Sequence, residues 1–569
     1  MKRFLFVSLV IAFSACAPRA LLAEPSRKPN VLFIAVDDLK PAIGCYGDPA
    51  AKTPHLDALA ARGTRFDRAY CMQAVCSPSR NALLTGLRQE TLRIYDLGTN
   101  FRRRAPDVVT LPQHFKANGY ASHGLGKIFH VGHGNHEDAA SWSVPHFQAK
   151  TVGYALPENK AQRSREEALF ENKGAGGLPR GAAFESADVP DEEYADGRIA
   201  GEAIQRLRGF KESGQPFFLA VGFLRPHLPF NAPKKYWDLH DPAKLPIAGR
   251  ATPPEGAPAF APTNWGELRQ YKGIPEQGAL EPELQRTLIH GYYAATSYMD
   301  AQLGRVLDEL GNLGLAENTI VVLWGDHGWH LGDHGMWCKH TNYEQATRSP
   351  LLIAAPGKKG GQSTRALVEF VDIYPTLCEL AGLEKPKHLQ GESLVPLLDT
   401  PTAAGKTAAF QVYPRGSRET GAMLGHAVRT DRWRYVEWQK ADGVAAAIEL
   451  YDMQGDPGET VNLATKPEHN GIVVEHAGLL KARLNTPPPA GLRLVEIDNA
   501  PGSGAGLPKQ DRAKLFAKKD VNGDGRLTRE EFLAGQPDPA EAPKRFTRFD
   551  TDSDGVLTGP EFIAAGAQK

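Results

Sequence analysis

The side chains in this sequence able to do chemistry on an anion sit in a few short segments. Asp37 and Asp38 stand together after an apolar run, and Asp326-His327-Gly328 follows another. Their carboxylate oxygens are hard donors that suit Ca²⁺ or Mg²⁺. Cys76-Ser77-Pro78-Ser79-Arg80, with Leu84-Thr85-Gly86 downstream, places a cysteine just ahead of a segment that begins a helix near Pro78. Free N–H groups at a helix start favour an anion. Arg80 offers that anion a bidentate contact, or holds the group at position 76. Basic candidates are Lys127 and His130, which become neighbours if residues 126–130 are helical. His227 in RPHLPF and Lys339, thirteen residues after Asp326, complete the set. Histidine titrates near neutrality and fits proton transfer in either direction.

The elements around these residues are strongly patterned. Asn30–Val36 (NVLFIAV) reads as a buried parallel strand that ends in the Asp37-Asp38 pair. Phe217–Phe223 and residues 319–324 read as further buried strands, while Pro54–Arg62 and residues 284–313 have helical spacing. Alternating strands and helices predict an α/β sandwich around a mostly parallel sheet. In such sheets the site lies beyond the carboxyl ends of strands, where both acidic segments fall. The main domain is expected over 29–400. After about residue 401 the pattern turns antiparallel, at 425–438 and 449–452, which predicts a smaller α+β subdomain over 401–486. Residues 487–510, rich in Pro and Gly, read as a linker.

The tail, 511–569, is different. Asp520, Asn522, Asp524, Gly525 and Glu531 fill positions 1, 3, 5, 6 and 12 of an EF-hand loop, and Asp550, Asp552, Asp554, Gly555 and Glu561 do the same in a second loop. Arg526 and Val556 hold the seventh position, whose backbone carbonyl is a ligand. Leu527 and Leu557 fill the apolar eighth position, and Phe516, Phe532, Phe546 and Phe562 flank the loops. Ca²⁺ binding in both loops is expected.

Composition sets outer bounds. The 569 residues are 41% hydrophobic and 23% charged, with formal net charge zero. No global field favours nucleic acid or an anionic membrane, so anion recognition must be local. Lys2 and Arg3 precede an apolar run over 4–17, which reads as a signal segment (1–23) with cleavage near Ala23. Cys16 is an alternative lipidation site. The expected location is exported, periplasmic or extracellular, with no transmembrane segment. Six cysteines are too few and too scattered for a disulfide framework; pairing among them is left open, a reduced Cys71 being one option.

The C-x-P-S-R block with its downstream L-T-G resembles the signature of type I sulfatases. NVLFIAVDDLKPAIGCYGD, QAVCSPSRNALLTG, TLPQHFKANGY, GKIFH, RPHLPF and DHGWHLGDHGMWCKH occur in one order over about 29–470. Together they look like the iduronate-2-sulfatase branch. The resemblance implies an alkaline-phosphatase-like sandwich with a smaller C-terminal subdomain. The EF-hand pair lies outside the family's usual core. It also implies that a formylglycine-generating enzyme oxidises Cys76. One hydroxyl of the hydrated aldehyde would attack sulfur, and loss of the other's proton would eliminate sulfate.

By the same resemblance one Ca²⁺ sits among Asp37, Asp38, Asp326, His327 and residue 76. His227 is expected as general acid to the leaving alcohol and His130 as proton acceptor during sulfate release. Lys127 and Lys339 would neutralise sulfate oxygens. The substrate implied is a sulfated carbohydrate, a 2-O-sulfated uronic acid being one option, with the individual, loop-rich segment 131–190 contributing to the choice. Three other readings stand beside this one. They are an arylsulfatase, a phosphoester hydrolase of the same fold, and a catalytically silent calcium-dependent polysaccharide-binding protein.

Overall fold

The computed structural model describes residues 28–149, 153–417, 421–497, 512–534 and 542–564. The signal segment and Cys16 lie outside the described residues. Seven strands form the main sheet: β1 (Asn30–Val36), β2 (Thr64–Tyr70), β3 (Ala121–Gly126), β4 (Phe217–Phe223), β5 (Thr319–Gly325), β6 (Leu351–Ala354) and β7 (Gln362–Glu369). Their order is β7-β2-β6-β5-β1-β4-β3. β1 is central and parallel to both neighbours, with Val31 opposite Phe218 of β4 and Ile320 of β5. Only β6 runs against its neighbours, antiparallel to β2 and β5.

The continuous apolar runs are explained by burial on both faces. Val31, Phe33 and Ala35 enter one core with Phe218 and Trp324, and Leu32, Ile34 and Val36 enter the other. Helices cover each side. α1 (Pro54–Arg62), α3 (Ala195–Ser213) and α4 (Pro282–Asn312) supply Leu56, Ile199 and Leu303 to the second core, and α2 (Cys76–Thr85) supplies Leu83 and Leu84 to the first. The expected strands and helices are present, the last helix spanning Pro282–Asn312 rather than 284–313.

A second sheet is an antiparallel meander of β8 (Ala409–Ser417), β9 (Gly421–Arg429), β10 (Trp433–Lys440) and β11 (Ala445–Asp452). Leu480 of α5 (Asn470–Leu484) packs on Val428, Tyr435 and Leu450. β8 joins the two sheets' surroundings, its Val412 N–H donating to the Met72 carbonyl at 3.0 Å.

The segment read as a linker is not a free tether in its first half. Val495 N–H donates to the Arg104 carbonyl at 2.7 Å, and Arg104 returns a bond to the Val495 carbonyl at 2.8 Å. Leu492, Leu494 and Ile497 rest against the first core. Their short apolar pattern is masked in the sequence by the neighbouring prolines and glycines. No helix among the described residues is long and apolar enough to cross a membrane.

Candidate active site

Asp37 and Asp326 begin where β1 and β5 end. Asp37 N–H donates to the Phe223 carbonyl at 3.2 Å and Asp326 N–H to that of Val36 at 3.1 Å, so each backbone is still tied to the sheet. Asp38 adopts φ 60°, a left-handed conformation that aspartate tolerates better than most residues. Its N–H donates to Asp326 Oδ1 at 2.9 Å and its carbonyl accepts from the Tyr292 hydroxyl at 2.8 Å. Asp37, Asp38 and Asp326 are all buried, with ligand oxygens within 4.8 Å of one another. Burial pushes Asp38 up, outweighing the lowering by Lys339. A divalent cation would reverse that penalty, and a cluster of hard oxygens fits one.

His327 joins them. Its Nδ1 lies 3.0 Å from the Gly328 carbonyl, which assigns the proton to Nδ1 and leaves the Nε2 lone pair facing the cluster. That nitrogen is 3.3 Å from Asp38 Oδ1 and 3.4 Å from Cys76 Sγ. The tautomer is the one a metal ligand needs.

Cys76 is the first residue of α2, following Val75 in extended conformation, and the whole helix is buried. Its Sγ lies 3.9 Å from Asp38 Oδ1. Burial, then Asp37, pushes the thiol well above its ordinary value. An unmodified Cys76 is therefore a neutral thiol and a poor nucleophile.

Arg80 departs from expectation. It is four residues after Cys76, on the same helix face but one turn deeper. It is fully buried, its Nε donating to Asp326 Oδ2 at 2.9 Å and its Nη2 to Asp37 Oδ1 at 3.2 Å. Nη1 donates to the carbonyls of Lys127 and Ile128. The guanidinium is committed to the aspartates from beneath rather than offered to a bound anion or to the group at position 76.

The helical expectation for residues 126–130 is also corrected. β3 ends at Gly126 and the chain bends through Lys127–Phe129 without a helical turn, because Lys127 N–H still pairs with the Gly222 carbonyl at 2.9 Å. A Cβ at Gly222 would lie 2.2 Å from the Lys127 carbonyl oxygen, so only glycine allows this approach. Lys127 Nζ pairs with Asp37 Oδ2. Burial alone would raise Asp37, but the charges of Lys127, His227 and Arg80 hold its carboxyl well below the usual range. His130 Nε2 is 3.2 Å from His133 Nδ1, and its own Nδ1 has no partner among the described residues.

His227 and Lys339 arrive from separate segments and share a residue that no motif announced. Glu267 Oε1 lies 3.1 Å from His227 Nε2 and 2.9 Å from Lys339 Nζ. Lys339 also bonds both Asp38 oxygens, at 3.1 and 3.0 Å. It is flanked by Cys338 (φ 68°) and His340 (φ 56°), a strained stretch typical of functional sites. These groups border a cavity of about 580 Å³ with Cys76 in its lining. Phe170, from the segment 131–190, and Tyr413 and Arg415, from β8, supply other parts of the wall. Sequence reading missed Glu267, His133, Phe170 and Arg415 because they sit in loops, at the end of the short helix Arg165–Phe170 and on an edge strand, where no periodic signal marks them.

In the tail the two EF-hand loops pair through short strands β12 (Arg526–Thr528) and β13 (Val556–Thr558), with Leu527 opposite Leu557. Phe516, Phe532, Phe546 and Phe562 share one small core. Asp550, Asp552 and Glu561 bring ligand oxygens within 4.8 Å. In the first loop, Asp520 accepts from the Asp524 and Gly525 N–H groups at 3.1 and 2.8 Å, folding the loop around it. These oxygen-rich loops suit calcium.

Residues 29–383 match the family described as Sulfatase, residues 332–485 the one described as N-sulphoglucosamine sulphohydrolase, C-terminal, and residues 512–534 the EF hand. The iduronate 2-sulfatase of Homo sapiens is 33% identical over 507 residues, covering 76% of this chain and 90% of that protein. A structure solved with its substrate D-glucosamine-2-N,6-O-disulfate shares the fold, with TM-score 0.64 at 23% identity over 80% of this chain and 97% of the other. The phosphonate monoester hydrolase of Agrobacterium radiobacter has TM-score 0.62 at 25% identity, covering 80% and 96%.

Proposed function

This chain belongs to the sulfatase family, and we propose that it is an exported enzyme that hydrolyses a sulfate ester of a sulfated saccharide, a 2-O-sulfated uronic acid being one option. The observation that carries the proposal is Cys76 lining the cavity, at the head of a buried helix and beside three clustered aspartates. Formylglycine at position 76, installed by a maturation enzyme, supplies a hydrated aldehyde as nucleophile. A calcium ion supplies positive charge for a sulfate oxygen.

The chain's own residues hold and complement these groups. Asp37, Asp38, Asp326 and His327 Nε2 face the ion position, and Arg80 fixes the first and third of the carboxylates. Lys127 and Lys339 neutralise sulfate oxygens. His227 Nε2 delivers a proton to the leaving alcohol, and His130 takes one at its unpartnered Nδ1 as sulfate departs.

Around residue 76 stand four carboxylates (Asp37, Asp38, Asp326, Glu267) and the cations Arg80, Lys127 and Lys339, joined by His227 when it carries the proton for the leaving alcohol. A phosphate monoester carries more negative charge than a singly charged sulfate ester and would need more cationic contacts or a second metal. A phosphonate monoester is also singly charged, and the likeness to a phosphonate monoester hydrolase makes it the second reading.

The test compares a sulfated disaccharide, an aryl sulfate and an aryl phosphonate monoester. The tryptic peptide 69–80 is weighed alongside, since conversion of thiol to formylglycine lowers mass by about 18 Da. Hydrolysis of the sugar sulfate by the modified protein is expected. Modified protein that cleaves only the phosphonate would sink the proposal, and unmodified cysteine in protein from its own host would favour a catalytically silent binding protein.

A further inference from the structure

Glu267 lies on a loop before α4, outside every motif that marks the site. It is nonetheless among the most connected groups there. One carboxylate gathers His227 Nε2 at 3.1 Å and Lys339 Nζ at 2.8–2.9 Å, residues brought in from segments on either side of it in the chain. The loop is anchored on both sides of Glu267. Trp265 and Leu268 are buried in the core beneath it, and Arg269 stacks on the Trp265 ring at 3.3 Å. The Gln270 N–H closes a turn on the Glu267 carbonyl at 3.2 Å. The carboxylate is therefore held by packing, as a group with a positioning task must be.

His227 depends on it more than Lys339 does. Without Glu267, Lys339 keeps both oxygens of Asp38. The imidazole of His227 is pinned at two points, Nδ1 by the Leu228 carbonyl and Nε2 by Glu267. Its other neighbour, Asp38 Oδ2, is beyond hydrogen-bond reach at 3.8 Å. Phe170 meets the ring edge-on at 5.7 Å, a contact that limits sliding but not rotation about χ2.

We propose that Glu267 is a positioning residue that fixes the His227 ring with Nε2 at the cavity, and so sets the enzyme's ability to expel poorly stabilised alcohols such as sugar hydroxyls. The inference rests on the assignment of His227 as proton donor to the leaving group. An aryl sulfate with an acidic phenol departs without a proton and is indifferent to the orientation of His227. A sugar alkoxide is not.

The experiment uses full-length, matured enzyme with p-nitrophenyl sulfate and a 2-O-sulfated uronate disaccharide. For Glu267→Gln, kcat on the disaccharide is expected to fall about 100-fold with KM nearly unchanged, while kcat on the aryl ester falls less than about 3-fold. Glu267→Asp should recover much of the loss. In a His227→Asn background the Glu267→Gln change should add almost nothing. Urea unfolding run in parallel identifies a variant that is merely misfolded, and Glu267→Asp then carries the comparison. Equal losses on the two substrates, an effect confined to KM, or full additivity with His227→Asn would overturn the role of Glu267. A wild-type enzyme inactive on both esters would instead overturn the sulfatase reading on which it rests.

Discussion

Replacing Arg80 by methionine removes a charge from beneath the site while keeping much of its volume. The fully buried guanidinium donates to Asp326 at 2.9 Å, to Asp37 at 3.2 Å and to the carbonyls of Lys127 and Ile128. Asp37 retains Lys127, so Asp326 is the carboxylate left without its cation. Removing one partner of a buried ion pair costs about 3–5 kcal/mol. Each orphaned carbonyl adds about 1 kcal/mol where water reaches it. The sum of about 5–7 kcal/mol is a large part of the roughly 5–15 kcal/mol that stabilises a typical domain.

Urea unfolding followed by tryptophan fluorescence is the assay, since the Trp324 ring lies 5.7 Å from the guanidinium carbon. The midpoint should fall by about 1–2 M. Added calcium should recover more stability in Arg80→Met than in the wild type, because it restores positive charge to Asp326 and Asp37. An unshifted midpoint with and without calcium would refute the claim that these carboxylates are ionised and paired in the folded protein.

Two further outcomes are expected. Burial depresses His330 to about 3 against the weaker raising effect of Asp333, so the ring is neutral in the fold, its Nε2 2.9 Å from Thr341 Oγ1. A depressed pKa gives stability that is complete above about pH 6.5 and lost as pH falls toward 3, worth up to about 5 kcal/mol. Acid unfolding of His330→Gln should show a shallower loss over that window, and an identical slope would exclude His330 as a source. Truncation after residue 497 keeps the Arg104–Val495 contacts and removes the EF-hand pair, whose aromatic core is its own. Hydrolysis should persist while the two loop calcium sites disappear from a calcium titration, and lost hydrolysis would mean that the tail helps form the site.

Local periodicity made much of this molecule legible before any coordinates. A strand buried on both faces must be apolar along most of its length, so Asn30–Val36 and Phe217–Phe223 announce themselves, and the polar residue that ends such a run stands at the carboxyl end of its strand. Asp37, Asp38 and Asp326 were found this way, whereas Cys76 was found through the resemblance of its C-x-P-S-R block to a family signature. The EF-hand loops are legible for a similar reason, because their ligands are contiguous. β6 gave no sign of running antiparallel inside the sheet, since strand direction depends on connections and leaves no mark on four apolar residues.

The rest needed the third dimension because it depends on residues distant in sequence. That Arg80 turns under the aspartates follows from how α2 is docked, not from its helical register alone. That Lys127 and His130 approach the site across a bend follows from a ladder bond to β4, which overrides local helical spacing. Glu267 acquires a role only because three segments converge on it. The sequence by itself determined the chemical groups and the strand ends that carry them. Only the tertiary structure decided which charges face the cavity and which are spent holding the others, because Coulombic pairing and burial act through distances that spacing along a chain does not encode.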